Sequence, residues 1–276
     1  MASYCRNNGR YDIIHVMENL CKDLAAGKFP RLSTPPVVEA VFCVDFAGFR
    51  QITKESALGL MSAVSSEYVY SGDMVSRAMT FDIKAMERPV LPVTLWEGAK
   101  FIKNKSNVIV LTNLDAQVVR FSYGRLEPYE SWEKFIDEGR HVLDAFVSAQ
   151  TINPIVKRVG VRFINRIFPS KPQCPITDIL YSVPPDPRNV AGISSCDFFY
   201  KDTSYYADFD LNATSVRATQ RNVGKGVSIV VDTDVFVMPD KEYSLMEWES
   251  LLGCVRKLKN ALFFGSVSEK FIAERL

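Results

Sequence analysis

Three polar side chains that could bind an anion stand inside one apolar stretch of this chain. Arg162, Asn165 and Arg166 fall within residues 156–168, where valine, isoleucine and phenylalanine predominate. The pattern predicts a β-strand, and because side chains alternate between the two faces of a strand, Arg162 and Arg166 share one face while Asn165 lies on the other. An unpaired charge on a partly buried face is costly, so each guanidinium requires a carboxylate, a carbonyl oxygen or an anionic ligand.

A carboxylate that could pair with these arginines lies in an earlier apolar segment. Glu39 belongs to the run Val-Val-Glu-Ala-Val-Phe, which opens a predicted strand at residues 37–46. If that strand lies beside the arginine strand, a carboxylate–guanidinium pair would satisfy both charges. Two interpretations stay open: a structural pair that fixes strand register, or an arginine-lined pocket for a phosphate or carboxylate ligand. The candidate polar cluster has four members: Glu39, Arg162, Asn165 and Arg166.

Four further carboxylates could hold a divalent cation. They form two Asp-x-Asp pairs, namely Asp208 with Asp210 and Asp232 with Asp234. Magnesium and manganese ions prefer oxygen ligands, and a site needs two or more carboxylates close together. Both members of a pair lie on one face of a strand, which makes these residues the candidate metal ligands.

The pairing of the two strands that carry these aspartates decides whether they converge. The predicted strands 204–219 and 227–238 join through a turn whose glycines, Gly224 and Gly226, permit positive φ. The register that follows sets two pairs of residues opposite each other: Asp232 with Val216, and Asp234 with Thr214. Because the two aspartate pairs are then offset along the hairpin, we expect a solvated sheet face, with neither a metal nor a cofactor.

Other catalytic arrangements lack the residues that they require. His15 and His141 are the only histidines, and both lie in predicted helices without a cysteine or carboxylate at metal-ligand spacing. There is no Gly-x-Ser-x-Gly motif, and the Gly-Lys-Gly turn at 224–226 does not have the spacing of a phosphate-binding loop. The six cysteines include no Cys-x-x-Cys pair, so we expect reduced thiols.

A nucleic acid is a further partner that the residues allow. Arg217, Arg221 and Lys225 lie near the second hairpin, and Tyr205 and Tyr206 could stack on bases. Against this, the chain has 33 basic and 32 acidic residues and a formal net charge of +1, so no global field attracts it to nucleic acid or to an anionic membrane.

No stretch approaches the roughly 20 apolar residues that span a bilayer, and we expect a cytoplasmic protein.

The order of predicted elements indicates an α+β fold. Apolar periodicity predicts a short amphipathic helix at 11–26, then strands, and two long helices near 129–149 and 243–264. We expect twisted, largely antiparallel sheets packed against the two long helices.

Six prolines between residues 169 and 190 mark the only internal boundary that the sequence suggests. The predicted parts are a helical extension and connector at 1–34, a first sheet-plus-helix half at 35–170, and a second at 171–276. A Trp-Glu pair stands near the start of each long helix, at Trp132 and at Trp248. We interpret the two halves as pseudo-duplicated copies of one unit.

Four short motifs occur in order along the chain. They are Pro35-Pro-Val-Val-Glu-Ala-Val-Phe, Tyr129-Glu-Ser-Trp-Glu-Lys-Phe, Gly160-Val-Arg-Phe-Ile-Asn-Arg-Ile and Ser266-Val-Ser-Glu-Lys-Phe. Together they resemble a sporadically distributed prokaryotic family that has a Pro-x-Val-Glu-Ala-Val opening and a Gly-Leu-Arg-Tyr-x-Asn-Arg strand, with Val161 and Phe163 here in place of leucine and tyrosine. The resemblance implies a patchy gene distribution of the kind seen for mobile, defence or toxin–antitoxin cassettes, and it implies no reaction.

From these observations we expect a noncatalytic cytoplasmic protein that recognises a protein partner, plausibly encoded in a mobile, defence or toxin–antitoxin operon. The predicted N-terminal helix or an exposed strand edge would be the contact surface. One alternative is a sensor of a small anionic ligand or nucleotide that uses Arg162 and Arg166. The other is a metal-dependent nuclease or phosphotransferase that uses the two aspartate pairs.

Overall fold

The computed structural model describes residues 29–48, 51–64, 66–78, 93–149, 154–171, 174–181, 197–207, 210–222, 226–239 and 248–276. Within these residues the chain is mostly sheet, with nine strands and four α-helices. Six strand pairs within these residues are antiparallel, so the prediction of a largely antiparallel sheet is confirmed. The predicted helix at 11–26 lies outside the described residues.

The elements follow one another along the chain in this order: β1 (Val37–Ala47), α1 (Lys54–Val64), β2 (Val69–Ala78), β3 (Val93–Lys103), β4 (Asn107–Asn113), β5 (Val118–Leu126), α2 (Trp132–Ser148), β6 (Ile155–Ile167), a 3-10 turn (Ile176–Asp178), β7 (Phe199–Tyr206), β8 (Leu211–Asn222), β9 (Gly226–Val237), α3 (Trp248–Phe264) and α4 (Glu269–Ala273).

The chain packs as two compact units. The central unit contains Glu39–Gly160 and Met238–Tyr243, whereas the terminal unit contains Met1–Val38, Val161–Val237 and Ser244–Leu276. The chain passes from one unit to the other within β6, between Gly160 and Val161.

In the central unit, the strands lie in the order β2-β3-β4-β5-β1. Helix α2 begins where the side chain of Ser131 accepts a hydrogen bond from the backbone N–H of Lys134, which satisfies one of the free donors of the first turn. Its buried residues recur at helical spacing: Phe135, Ile136, Gly139, Val142, Leu143 and Phe146. Phe146 packs against Phe46 of β1 and Phe121 of β5, with ring centroids 6.3 Å and 5.5 Å away. This aromatic contact holds the helix on the sheet.

Two glycines of the central unit allow close packing. A Cβ at Gly139 of α2 would lie 2.9 Å from the Tyr123 ring and 3.2 Å from the Phe42 ring, so only glycine lets the helix approach these aromatic side chains. A Cβ at Gly98 of β3 would lie 2.0 Å from the carbonyl oxygen of Leu111, so no side chain fits there without a backbone shift.

In the terminal unit, the strands lie in the order β6-β9-β8-β7. Its apolar core joins β6 and β9 to the two C-terminal helices and includes Ile167, Ile229, Val231, Phe263 and Phe271. The terminal helix α4 is capped by Ser268, whose side chain accepts a hydrogen bond from the backbone N–H of Phe271.

The hairpins of the terminal unit confirm one prediction and correct another. Gly226 has φ of +77°, and β8 and β9 pair as expected, with Asp232 opposite Val216 and Asp234 opposite Thr214. The predicted single strand at 204–219 is wrong, because β7 ends at Tyr206 and β8 begins at Leu211. Asp210, in the turn between them, has φ of +50°, a conformation that aspartate tolerates better than most residues.

Candidate functional site

The arginine strand β6 alternates between a buried and a more exposed side. Val159, Val161, Phe163, Asn165 and Ile167 are all buried, whereas Arg162 is exposed and Arg166 is intermediate. The faces are therefore divided as the strand periodicity predicts.

Arg162 is paired with Asp232 of β9. Its Nε lies 2.9 Å from Oδ1 and its Nη2 lies 2.6 Å from Oδ2, so the guanidinium and the carboxylate meet fork to fork. Half of the Arg162 side chain is exposed, but only 14% of the Asp232 side chain is. The sequence analysis assigned these residues to two different sites, an anion pocket and a metal site. Because each charge neutralises the other, the pair weakens both interpretations.

Asn165 and Arg166 make contacts of different kinds. Asn165 is only 4% exposed. Its Nδ2 donates to the backbone carbonyl of Val231 at 3.1 Å, and this hydrogen bond links β6 to β9. The backbone N–H of Arg166 donates to the Pro36 carbonyl at 2.8 Å. The Nε of Arg166 is buried and has no hydrogen-bond partner among the described residues.

Glu39, the fourth member of the predicted cluster, lies on β1 opposite Leu126 of β5. It belongs to the central unit, whereas Arg162, Asn165 and Arg166 belong to the terminal unit. The carboxylate at Arg162 is supplied by Asp232, within the terminal unit.

The four aspartates do not assemble as two strand pairs. Asp208 lies outside the described residues, and Asp210 lies in the turn after β7 and accepts a hydrogen bond from the Tyr205 hydroxyl at 3.0 Å. The expectation that Asp208 and Asp210 share one strand face is therefore wrong for Asp210. Across the described part of the chain, no group of three or more histidine, cysteine, aspartate or glutamate residues could hold a metal ion.

The sequence analysis missed a buried ion pair in the central unit. Asp45 of β1 lies directly opposite Arg120 of β5. The arginine Nε and Nη2 donate to the two carboxylate oxygens at 2.6 Å and 2.7 Å. The side chain of Asp45 is only 8% exposed, and that of Arg120 is 33% exposed. Asp45 lies in the predicted strand at 37–46, but only the strand order brings it next to Arg120.

A larger polar network, also missed, centres on Glu138 of α2. Its Oε2 accepts hydrogen bonds from the Tyr123 hydroxyl at 2.6 Å and from the Asn107 Nδ2 at 3.0 Å. Arg125 lies 3.7 Å from the same carboxylate, donates to the Asn107 Oδ1, and forms an ion pair with Glu130 at 2.8 Å. The network joins β4, β5 and α2, and its arginine is neutralised by two carboxylates.

Two tyrosines of this network have strongly shifted pKa values. Burial raises the pKa of Tyr68 to about 12, although a hydrogen bond with Asn107 acts in the opposite direction. Burial and the hydrogen bond to Glu138 raise the pKa of Tyr123 far above its ordinary value. Both phenols therefore stay protonated at neutral pH, and the Tyr123 hydroxyl donates to Glu138, which suits a structural network better than a general base.

Lys259 of α3 has an unusual environment in the terminal unit. Its ammonium nitrogen lies 4.0 Å from the ring centroid of Phe163 on β6. Burial, together with the nearby charge of Arg256, lowers the pKa of Lys259 to about 7. The sequence pattern gave no sign of this, because Lys259 lies within the predicted helix at 243–264 with no feature that sets it apart from Lys257, the other lysine of that helix.

The terminal unit also has a small open cleft between the end of β6 and α4. Its volume is about 80 Å³, and its lining includes Cys174, Asp178, Lys270 and Arg275. Asp178 and Lys270 neutralise each other at 2.6 Å. Burial and the nearby Asp178 carboxylate raise the pKa of the Cys174 thiol, so this cysteine is not activated as a nucleophile.

The basic residues proposed for nucleic-acid binding are engaged locally where they are described. Arg221 forms an ion pair with Asp197 at 2.9 Å. The guanidinium carbon of Arg217 lies 5.5 Å from the ring centroid of Tyr200, and burial lowers the pKa of Arg217. Lys225 lies outside the described residues. These contacts do not form a basic stripe, and binding of a nucleic acid stays an untested hypothesis.

Strand β7 exposes large aromatic side chains in the described part of the terminal unit. It stands last in the strand order of its unit, so one of its edges has no strand partner among the described residues. Phe199 is 72% exposed, Tyr205 is 60% exposed and Tyr200 is 39% exposed. Large exposed aromatic side chains on a sheet edge are typical of a surface that binds another chain.

The free edge of β7 presents a regular row of backbone groups. The N–H of Thr219 donates to the Phe198 carbonyl at 3.0 Å, which makes these two residues a hydrogen-bonded pair and sets the alternation along β7. The even-numbered residues of β7 therefore bond to β8, whereas Phe199, Lys201, Thr203 and Tyr205 direct their N–H and C=O groups outward.

Strands β2 and β7 differ in how well they are protected against the addition of another strand. Strand β2, at the end of the strand order in the central unit, pairs with β3 through two register shifts, and such bulges discourage the addition of another strand. Strand β7 pairs with β8 in an unbroken register from Phe199 to Tyr206. The regular edge is therefore the one able to accept a further strand.

None of the helices in the described part of the chain combines the length and the apolar character needed to cross a bilayer. Comparison with models of protein families gives no match, and comparison with curated proteins gives none either. The family resemblance drawn from the four motifs stays a prediction.

Proposed function

We propose that this chain is a noncatalytic protein that binds a protein partner by adding a strand of that partner to the free edge of β7. The single observation that supports this most strongly is the regular outer edge of β7 with its exposed Phe199 and Tyr205. In strand addition, backbone hydrogen bonds supply affinity, and the alternating side chains supply specificity.

A binding role agrees with the way in which charges are used in the described residues. Arg162, Arg120 and Arg125 are each matched by a carboxylate at 2.8 Å or less. A sensor of an anionic ligand would have to displace Asp232 from Arg162, and a metal enzyme would have to detach the same aspartate from its guanidinium. Both alternatives therefore begin with the loss of a fork-to-fork ion pair.

The cellular setting is part of the proposal. Cys43, Cys174 and Cys254 are free thiols, which suits the reducing cytoplasm. The family resemblance adds an operon of the mobile, defence or toxin–antitoxin type, in which the partner would be encoded by a neighbouring gene.

We also propose that the two halves of the chain are related by duplication. The central unit and the terminal unit each combine strands with a helix of 17 residues, α2 and α3, and each of these helices begins with Trp-Glu. In each unit the helix follows a pair of adjacent antiparallel strands along the chain, β4 with β5 and β8 with β9.

Replacement of Thr203 tests the β7 surface. The backbone N–H of Thr203 points to the free edge, so Thr203→Pro removes an outward donor without breaking the β7–β8 ladder, and proline is tolerated on edge strands. The lost hydrogen bond is worth about 1 kcal/mol, and proline also distorts the extended backbone that strand pairing needs. We therefore expect about tenfold less partner to be recovered with the tagged variant than with the tagged wild type. The measurement is co-purification of identified proteins encoded by the neighbouring genes.

Thr203→Val is the matched control, because it changes the same side chain but keeps the backbone N–H and the preference for a strand. It should recover the partner as well as the wild type does. Equal recovery with Thr203→Pro and Thr203→Val, in variants with the same circular dichroism as the wild type, would exclude β7. Deletion of residues 1–30 examines the other surface named in the sequence analysis, and loss of the partner in that variant alone would move the contact to the N-terminal segment.

A further inference from the structure

We infer that the strand bound at β7 is β7 of a second copy of this chain, paired antiparallel across a two-fold axis with Thr203 opposite Thr203. This inference rests on the proposed function in taking the outer edge of β7 as the binding edge, and it puts a second copy of this chain there in place of a protein encoded by a neighbouring gene. It would join two chains into one continuous sheet through β7, the strand with the exposed Phe199 and Tyr205.

The backbone of β7 is suited to pairing with itself. In an antiparallel pair, residues that direct both backbone groups toward the partner strand must face residues that do the same. On β7 these are the odd-numbered residues Phe199, Lys201, Thr203 and Tyr205. A two-fold axis perpendicular to a sheet keeps each face on its own side, so odd residues face odd residues and even residues face even ones. In each of these registers, the outward N–H and C=O groups of one copy form hydrogen bonds with those of the other copy wherever the two strands overlap.

The charges of β7 eliminate two of the central registers. With Lys201 on the axis, two ammonium groups would lie directly opposite each other, and with Asp202 on the axis two carboxylates would. Like charges at directly opposite positions destabilise a strand pair. Ser204 on the axis avoids this conflict, but it overlaps only residues 202–206 of the strand.

Thr203 on the axis is the register that combines the longest overlap with complementary side chains. It overlaps residues 200–206 and places four kinds of pair opposite each other: Thr203 with Thr203, Lys201 with Tyr205, Asp202 with Ser204, and Tyr200 with Tyr206. The Lys201 ammonium can lie over the exposed Tyr205 ring of the second copy, and threonine and aromatic pairs are among those that stabilise antiparallel strands. A lysine on an edge strand normally discourages pairing with unrelated strands, but in this register Lys201 has a favourable contact in Tyr205 of the second copy.

Opposite charges introduced at position 203 test both the occupant and the register. Thr203→Asp alone places two carboxylates on the axis, and Thr203→Lys alone places two ammonium groups there. Each variant should dimerise about fivefold more weakly than the wild type, whereas an equimolar mixture should form heterodimers at least as tightly as the wild-type homodimer, since aspartate then faces lysine. Analytical ultracentrifugation of the full chain, up to about 100 µM, gives the dissociation constants, and circular dichroism shows that the variants fold.

The outcomes separate this inference from the proposed function. A wild-type chain that keeps the 31.1 kDa mass of a monomer at the highest concentration overturns the inference, and so does a dimer that neither variant weakens or that the mixture does not restore. If the chain is monomeric and Thr203→Pro still loses a partner encoded by a neighbouring gene, the proposed function stands without the inference. If the charge-swapped mixture dimerises and no neighbouring protein binds, the inference stands and the proposal of a different partner fails.

Discussion

The buried pair of Asp45 and Arg120 offers the sharpest test of how charge is used in this protein. Asp45→Asn keeps the size of the side chain but replaces one carboxylate oxygen by an NH2 group that faces the guanidinium donors. The substitution removes the charge-assisted hydrogen bond at 2.7 Å or at 2.6 Å, depending on which oxygen is replaced, and takes away the negative charge that Asp45 places next to the Arg120 guanidinium.

The size of the effect follows from burial. Breaking a fully buried pair costs about 3–5 kcal/mol. Because the Arg120 side chain is 33% exposed and can recover some hydration, we expect Asp45→Asn to lower the free energy of unfolding by about 2–3 kcal/mol.

Two other pairs in the same chain serve as controls of graded exposure. Asp232 and Arg162 form a similar fork, but half of the arginine side chain is exposed, so Asp232→Asn should cost about 1 kcal/mol. Asp197 and Arg221 are 64% and 66% exposed, and Asp197→Asn should cost less than about 0.5 kcal/mol. Urea unfolding followed by circular dichroism gives the three values. The reasoning fails if Asp45→Asn costs no more than Asp197→Asn.

Two further predictions concern the packing at Gly139 and the pKa of Lys259. Gly139→Ala should destabilise the chain by about 1–3 kcal/mol, because the new Cβ would lie 2.9 Å from the Tyr123 ring and 3.2 Å from the Phe42 ring. Gly253→Ala in α3 is the control, because a Cβ there would have no neighbouring atom within 4 Å. It should stabilise the chain by about 0.5–1 kcal/mol in the same urea assay. Lys259 has a pKa near 7 when folded and an ordinary value of 10.5, so between these pH values the unfolded chain binds a proton that the folded chain lacks, and stability should rise with pH. Urea unfolding at pH 7 and pH 9 should show this rise in the wild type but not in Lys259→Met. Lys257 is exposed, so the control Lys257→Met should keep the rise. An unchanged rise in Lys259→Met would disprove the lowered pKa of Lys259.

Local signals in the sequence predicted the features that depend on neighbouring residues. The strand that opens at Val37 and the register that sets Asp232 opposite Val216 both follow from strand periodicity and turn chemistry. The error at β7 and β8 is also local, since Asp210 reverses the chain through a positive φ that no glycine announces. A turn made by aspartate carries a weaker signal than one made by glycine.

The contacts of the candidate site could not be predicted, because they depend on strand order. Arg162 was expected to need a carboxylate, and it has one, yet the choice of Asp232 is decided by β9 lying next to β6. The fork between Asp45 and Arg120 joins residues that are 75 positions apart. Tyr123 and Glu138 are only 15 positions apart, but nothing in the spacing shows that helix α2 places its glutamate over that strand.

The way in which the terminal unit is assembled from separate stretches has a consequence for synthesis. The main chain and the hydroxyl of Ser33 both donate to the carbonyl oxygen of Arg275, 242 residues later, at 2.7 Å and 2.8 Å. On the ribosome, residues 39–160 can begin to fold as soon as they emerge, whereas the segment around Ser33 must wait until Arg275 has been translated. Throughout that interval the segment around Ser33 lacks the Arg275 carbonyl oxygen that it binds in the folded chain. Chaperones therefore have their longest opportunity to bind the nascent chain at this segment.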